Sequence, residues 1–173
     1  MKIFKVTRSR GEQMMKIINK VIEYILAVLV VVMVAGCFWQ IFTRFILNNP
    51  SSWTEELLRY ALIWLTMLGV PYAYGKEQHI AIEFITSTFT KKGTLKNKIF
   101  IEILVLFLSS FVMIAGGVMV SVNAAGQVSP AMGIPMQFYY IGIPICGVLM
   151  VIYSLQRLVR FVREWKETKE EGK

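Results

Sequence analysis

A chain of 173 residues that is 55% hydrophobic and only 17% charged is too apolar for an ordinary soluble domain, where about a quarter of residues are charged. Its formal charge of +8 does not point to nucleic acid, because Lys and Arg sit at the ends of apolar runs rather than in one patch. One histidine, two cysteines inside apolar runs (Cys37 and Cys146) and no aspartate leave little material for a metal site, a bis-histidine haem or a disulfide framework. No cofactor and no enzymatic activity are expected.

In chain order, residues 1–23 read as a polar tail and an amphipathic helix. Met14, Ile18, Val21 and Ile25 recur at helical spacing, with Lys16, Asn19, Lys20 and Glu23 between them. Tyr24 to Thr43 is 20 residues without a charge, the core of a first span over 24–47. Val34-Ala35-Gly36-Cys37 resembles a lipoprotein cleavage box, but the apolar run continues through Phe38-Trp39-Gln40-Ile41-Phe42, which argues against cleavage. Asn49-Pro50 marks a turn, and Ser52-Trp53-Thr54-Glu55 fits a capping box opening a second span over 54–75. The charge-free core of that span, Tyr60 to Gly75, is only 16 residues, so it borrows length from the charged turns before it.

Residues 78–96 read as an interfacial segment. Ile82, Ile85 and Phe89 share a helical face, while Ile80, Ile82 and Phe84 alternate like a strand; a surface helix is expected, because an open strand leaves unpaired edges. Between Glu102 and Arg157 lie 54 residues without a charge. They hold a third span over 99–125, an outer loop over 126–136 and a fourth span over 137–160. The tail, 161–173, continues as a solvated helix with Arg160–Glu164 and Arg163–Glu167 spaced for pairing.

The expected fold is an all-α integral membrane protein with four transmembrane helices plus interfacial amphipathic helices. Open strands cannot satisfy their backbone groups in lipid. From the N-terminal tail through the three connections to the C-terminal tail, Lys and Arg number six, two, five, zero and six. By the positive-inside rule both termini face the cytoplasm, and the first and third connections face outward.

The charges at the start of the second span admit two readings. Glu55 and Glu56 favour the helix N-terminus, Arg59 can pair with either, and Trp53 suits the headgroup belt, which makes a well-started helix. Alternatively, Arg59 neutralises one glutamate and the other seeks a donor on a neighbouring protein. His79 and Glu83, spaced i and i+4, are too few for a metal site and suit local or interchain hydrogen bonds. Gly117, Ser121 and Ala125 form a small-residue stripe that admits another helix closely, from this chain or from a partner. The loop Gln127 to Met136, with two prolines and a glycine, is either a tight connection or a stiff contact surface.

These motifs, in this order, resemble the DctQ-like small membrane subunit of tripartite ATP-independent periplasmic (TRAP) transporters, over the whole chain. The resemblance rests on Trp53-x-Glu55-Glu56-x-x-Arg59, on Gly69, and on Gly75-x-x-x-His79-Ile80-x-Ile82-Glu83, where aspartate is the family's usual last residue. It rests also on Ser129-Pro130-Ala131-x-Gly133-Ile134-Pro135, followed by Gly142 and Pro144. It implies a stationary scaffold beside a large, DctM-like membrane subunit that carries the substrate and sodium sites. It also implies a periplasmic binding protein that delivers an organic acid; sialic-acid systems have subunits of this kind. Trp53, Glu55, Glu56, Arg59, Gly69, His79, Glu83, Gly117 and Ser121 would then contact the large subunit, Ser129, Pro130, Gly133, Ile134 and Pro135 would help dock the binding protein, and lipid would surround the rest. An independent small channel or transporter is the alternative. It is disfavoured because neither repeats nor paired broken helices at the midplane are evident.

Overall fold

The computed structural model describes residues 2–76 and 91–170, and the regular structure of these residues is helical. The helices are α1 (Lys2–Phe45), α2 (Ser52–Gly75), α3 (Lys91–Leu108), a π-helical section (Ser109–Gly116), α4 (Gly117–Asn123), a short α5 (Gln137–Tyr140) and α6 (Gly142–Glu170). Among the described residues, three stretches are long and apolar enough to cross a bilayer: Met15–Phe45, Leu95–Asn123 and Gln137–Lys166. The expected second span, α2, is not among them; Glu55, Glu56 and Arg59 occupy its first two turns and leave a short apolar core. The chain divides into two units, Met1–Tyr72 and Ala73–Lys173, so that only the last residues of α2 belong to the second.

In the first unit, α1 runs unbroken through the predicted lead-in helix into the first span. Its inner face follows alternating steps of four and three residues: Ile22, Leu26, Leu29, Met33, Gly36, Gln40 and Thr43 are buried or half-buried. This is the 3.5-residue repeat of helices packed side by side. In the lead-in segment the face that packs within the chain is not the expected interfacial one. Met15 and Ile22 are buried, Ile18 is half-buried, and Val21 and Ile25 are exposed. Helix α2 answers with the same repeat in Thr54, Leu58, Ala61, Leu65 and Leu68. The two helices run antiparallel: a methyl group placed on Gly36 would meet Leu58 at 3.0 Å, and one on Gly69 would lie 4.0 Å from Leu26. Between them, α1 ends where Asn48 adopts a positive φ of 49° and its neighbour Asn49 donates to the Thr43 carbonyl at 3.1 Å.

In the second unit, α3, the π section and α4 are continuous in the chain. The buried positions along them are Glu102, Ser109, Gly117 and Ala124, separated by seven, eight and seven residues. The extra residue falls in the π section, whose wider turns absorb it and keep one face inward. Helix α6 buries Cys146, Gly147, Tyr153, Ser154 and Phe161, and its Pro144 lies in the first turn, where no helical amide is lost. Two reciprocal approaches join this helix to the preceding one. Gly117 faces Ile143 and Pro144, and Gly147 faces Met113 and Ile114, each so closely that an added methyl carbon would come within 2.9 Å. The small-residue stripe thus meets a helix of the same chain at Gly117; Ser121 is half-buried and Ala125 exposed. Without a hydrophobic drive between helices in lipid, such close packing supplies much of their attraction.

Replacing Gly117 or Gly147 with valine should each cost about 1–3 kcal/mol through overpacking, seen as a lower melting midpoint in detergent. Gly116→Ala, at a site where an added methyl carbon meets nothing within 4 Å, should leave the midpoint in place.

Candidate functional site

The polar cluster at the start of α2 is built on a helix cap. Ser51, rather than the predicted Ser52, is the capping residue. Its Oγ accepts the Thr54 amide at 3.4 Å and lies 2.8 Å from Thr54 Oγ1. Both serines suit the position, and the structure uses the one directly after Pro50, with Thr54 buried in the first turn. This shifts Glu55 out of the capping box and frees it to pair with Arg59, Nη2 to Oε1 at 3.2 Å, one helical turn away. Both side chains are more than 60% exposed, so in water the pair is worth about 0–1 kcal/mol. Trp53 is exposed beside them, Glu56 is half-buried, and Gly69, four turns on, is half-buried. His79 and Glu83 lie outside the described residues.

The loop between α4 and α5 is tied to itself. Val128 and Pro135 form an isolated antiparallel bridge; Ser129 donates to the Ile134 carbonyl at 2.9 Å, and Gly133 donates to the Ser129 carbonyl at 3.0 Å. Met136 donates to the Gln127 carbonyl at 2.8 Å. Gly133, with φ of 66°, takes the left-handed turn that glycine permits. The Ser129 hydroxyl accepts the Met132 amide at 3.3 Å inside this turn. Ser129 is buried and holds the turn's shape, Ile134 is half-buried, and Pro130, Gly133 and Pro135 are exposed on it.

A third polar site, not singled out from the sequence, lies inside the second unit. Glu102 of α3 has a side chain only 1% exposed and forms an ion pair with Arg157 of α6, Oε1 to Nε at 3.1 Å. Its other oxygen accepts hydrogen bonds from the Tyr74 hydroxyl at the end of α2 and from Ser154 Oγ at 2.8 Å. Arg157 Nη1 donates to the Tyr74 carbonyl at 3.3 Å, one of the last carbonyls of α2 that lack a partner within the helix. The guanidinium also lies over the Tyr74 ring, 4.6 Å from its centroid. A carboxylate at this depth is costly unless paired, and here both its oxygens are engaged. The signal in the sequence was that Glu102 and Arg157 bracket the longest charge-free run. Their chain separation concealed that they meet.

Arg157→Met strands the Glu102 carboxylate and should destabilise by about 3–5 kcal/mol. The Glu102→Gln/Arg157→Met double variant should recover part of that loss. Melting midpoints of the single and double variants check the coupling; strictly additive losses would refute it.

Comparison with known proteins agrees with the motifs. The family described as tripartite ATP-independent periplasmic transporters, DctQ component, matches residues 33–164. The sialic acid TRAP transporter small permease protein SiaQ of Vibrio cholerae is 30% identical over 148 residues, covering 86% of this chain and 85% of that protein. The sialic acid TRAP transporter permease protein SiaT of Haemophilus influenzae is 28% identical over 82% of this chain, which spans only 23% of that longer protein. The ectoine TRAP transporter small permease protein TeaB of Halomonas elongata is 25% identical, covering 75% of this chain and 67% of that protein. With most of its length matched and its long apolar helices, the chain belongs to the DctQ component family of tripartite ATP-independent periplasmic transporters, as a multi-pass protein of the bacterial inner membrane.

Proposed function

We propose that this chain is the stationary small permease subunit of a TRAP transporter, bound to a large DctM-like membrane subunit and served by a periplasmic substrate-binding protein. The observation that carries the reading is the match over most of its length to small permease proteins, together with a matching region inside the longer permease SiaT. A region found both as a separate chain and within a longer permease works beside the remainder of that permease. The transported compound is an organic acid taken up with sodium, with sialic acid favoured by SiaQ and SiaT; TeaB, named for ectoine, shows that small permease proteins of this family serve other compounds.

In this reading α2 is a fourth span, with its exposed Glu55–Arg59 turn at the outer interface, and both termini lie inside. Trp53, Glu55, Glu56, Arg59 and Gly69, with His79 and Glu83 beyond α2 and Ser121 on α4, contact the large subunit. Gly117 supports that surface from within, against α6. The exposed Pro130, Gly133 and Pro135, held in shape by Ser129 and Ile134, join the docking surface for the binding protein. A self-tied loop loses little freedom on binding.

Reconstituted alone, the chain should be silent. With its large subunit, binding protein and a sodium gradient, vesicles should accumulate substrate; transport by the chain alone would instead make it an independent transporter. Arg59→Ala and Glu56→Gln should each weaken co-purification of the large subunit, and unchanged co-purification with unchanged uptake would remove these residues from the contact. For topology, Ala131→Cys should react with an impermeant maleimide in intact cells, whereas Glu164→Cys should react only after permeabilisation.

A further inference from the structure

Helices α1 and α2 differ in how they can enter a membrane. The stretch Met15–Phe45 of α1 is long and apolar enough to cross by composition, and α2 is not. Glu55, Glu56 and Arg59 open α2, and Tyr60, Thr66, Pro71, Tyr72 and Tyr74 interrupt the rest. Such residues weaken the partitioning of a lone helix into hydrocarbon. The Glu55–Arg59 pair offsets part of that cost.

What α2 lacks in composition it gains in contact. Its seam of Thr54, Leu58, Ala61, Leu65 and Leu68 repeats as the seam of α1 does. Gly36 of α1 sits at a close approach: a methyl carbon there would lie 3.0 Å from Leu58 Cδ2 and 3.7 Å from Thr54 Cγ2. Thr54 and Thr43 are buried, and neither hydroxyl is stranded. Thr54 Oγ1 lies 2.8 Å from Ser51 Oγ, and Thr43 Oγ1 donates to the Gln40 carbonyl at 3.1 Å. The connection, residues 46–51, is tied back to α1. The Ile46 amide donates to the Phe42 carbonyl at 2.9 Å and the Asn49 amide to the Thr43 carbonyl at 3.1 Å. A connection this short delivers the start of α2 to the side of α1.

We propose that α2 enters the bilayer only as the second arm of a helical hairpin with α1 as its template, a proposal that rests on the reading of α2 as a fourth span. Helices in lipid associate through close packing rather than through apolarity. The determinant is therefore the fit between Gly36 and Leu58, and not how apolar either helix is. When the second arm fails to enter, Lys96 and Lys98 of α3 stay on the outer side, where basic residues are disfavoured. That misplaced product is what an experiment can count.

The test uses the full chain in bacterial cells with one added cysteine, Lys96→Cys, at an exposed position of α3. Reaction with an impermeant maleimide in intact cells is read as a fraction of the reaction after denaturation. The chain without the added cysteine gives the blank for Cys37 and Cys146. The reference protein should stay protected. Gly36→Leu makes α1 more apolar yet blocks the contact, and it should raise the reacting fraction about tenfold. Ala35→Leu places the same side chain at an exposed position of α1 and should leave the fraction unchanged. Gly36→Leu/Leu58→Ala moves bulk across the contact and makes α2 less apolar still. It should nonetheless bring the fraction most of the way back to the reference. Equal effects of the two single variants, or a double variant worse than Gly36→Leu, would assign entry to composition and overturn the proposal. So would protection of Gly36→Leu in intact cells, which leaves α2 a span that needs no template. Reaction of the reference protein itself would instead remove α2 from the spans, and the proposal would fall with that reading.

Discussion

A carboxylate enclosed among membrane-grade helices must have its charge met, and Glu102 has one geometry in which this occurs. Arg157 approaches one oxygen while Tyr74 and Ser154 donate to the other. Apolar faces alone give membrane helices little axial preference, because lipid tails are as apolar as leucine. A polar contact that is satisfied at one height and stranded at any other does fix the height. The rest of the second unit is consistent with that fixed point. The end of α2, the second half of α3 and the middle of α6 are pinned together, and the glycine contacts at Gly117 and Gly147 fall about 22 Å or less along the helices from it.

These contacts close the second unit on itself. Glu102 is met by an ion pair and two hydroxyls, Arg157 also donates to the Tyr74 carbonyl, and no group of three or more His, Cys or Glu side chains that could hold a metal ion is assembled among the described residues. The cluster at the start of α2 is different in kind. Glu55 and Arg59 are exposed and their pair is weak in water, so it adds little to folding and leaves both groups open to a neighbour. Buried polar groups fix this chain internally, and exposed ones remain for contacts beyond it.

The class of the protein was plain from its sequence, because apolar length and the placement of charge are summed properties that no single contact can reverse. The family was legible in short motifs whose order carries more than any one of them. Other features were not. Ser51 and Ser52 are equally good caps, and only the backbone decides between them. The face of α1 that packs inside the first unit, with Ile22 buried and Val21 exposed, could not be singled out, since nearly every residue there is apolar and periodicity has little contrast. Ser154 and Glu102 meet across 52 residues of chain, a separation about which local pattern says nothing. The second span was expected to borrow length from its charged first turns, and with those turns α2 stays outside the group of helices apolar enough to cross by composition alone.

The π-helical section between Ser109 and Gly116 bears on how the chain tolerates a change in length. The buried positions on either side of it and within it, Glu102, Ser109, Gly117 and Ala124, stand seven, eight and seven residues apart, and the surplus residue lies inside the widened turns. Removing one residue there would restore an even spacing of seven and let the section close into ordinary α-helix. Glu102 on one side and the Gly117 contact on the other would keep their faces. A deletion at most points of a packed membrane helix turns everything beyond it by about 100 degrees; at this one it relaxes the helix and leaves both halves aligned.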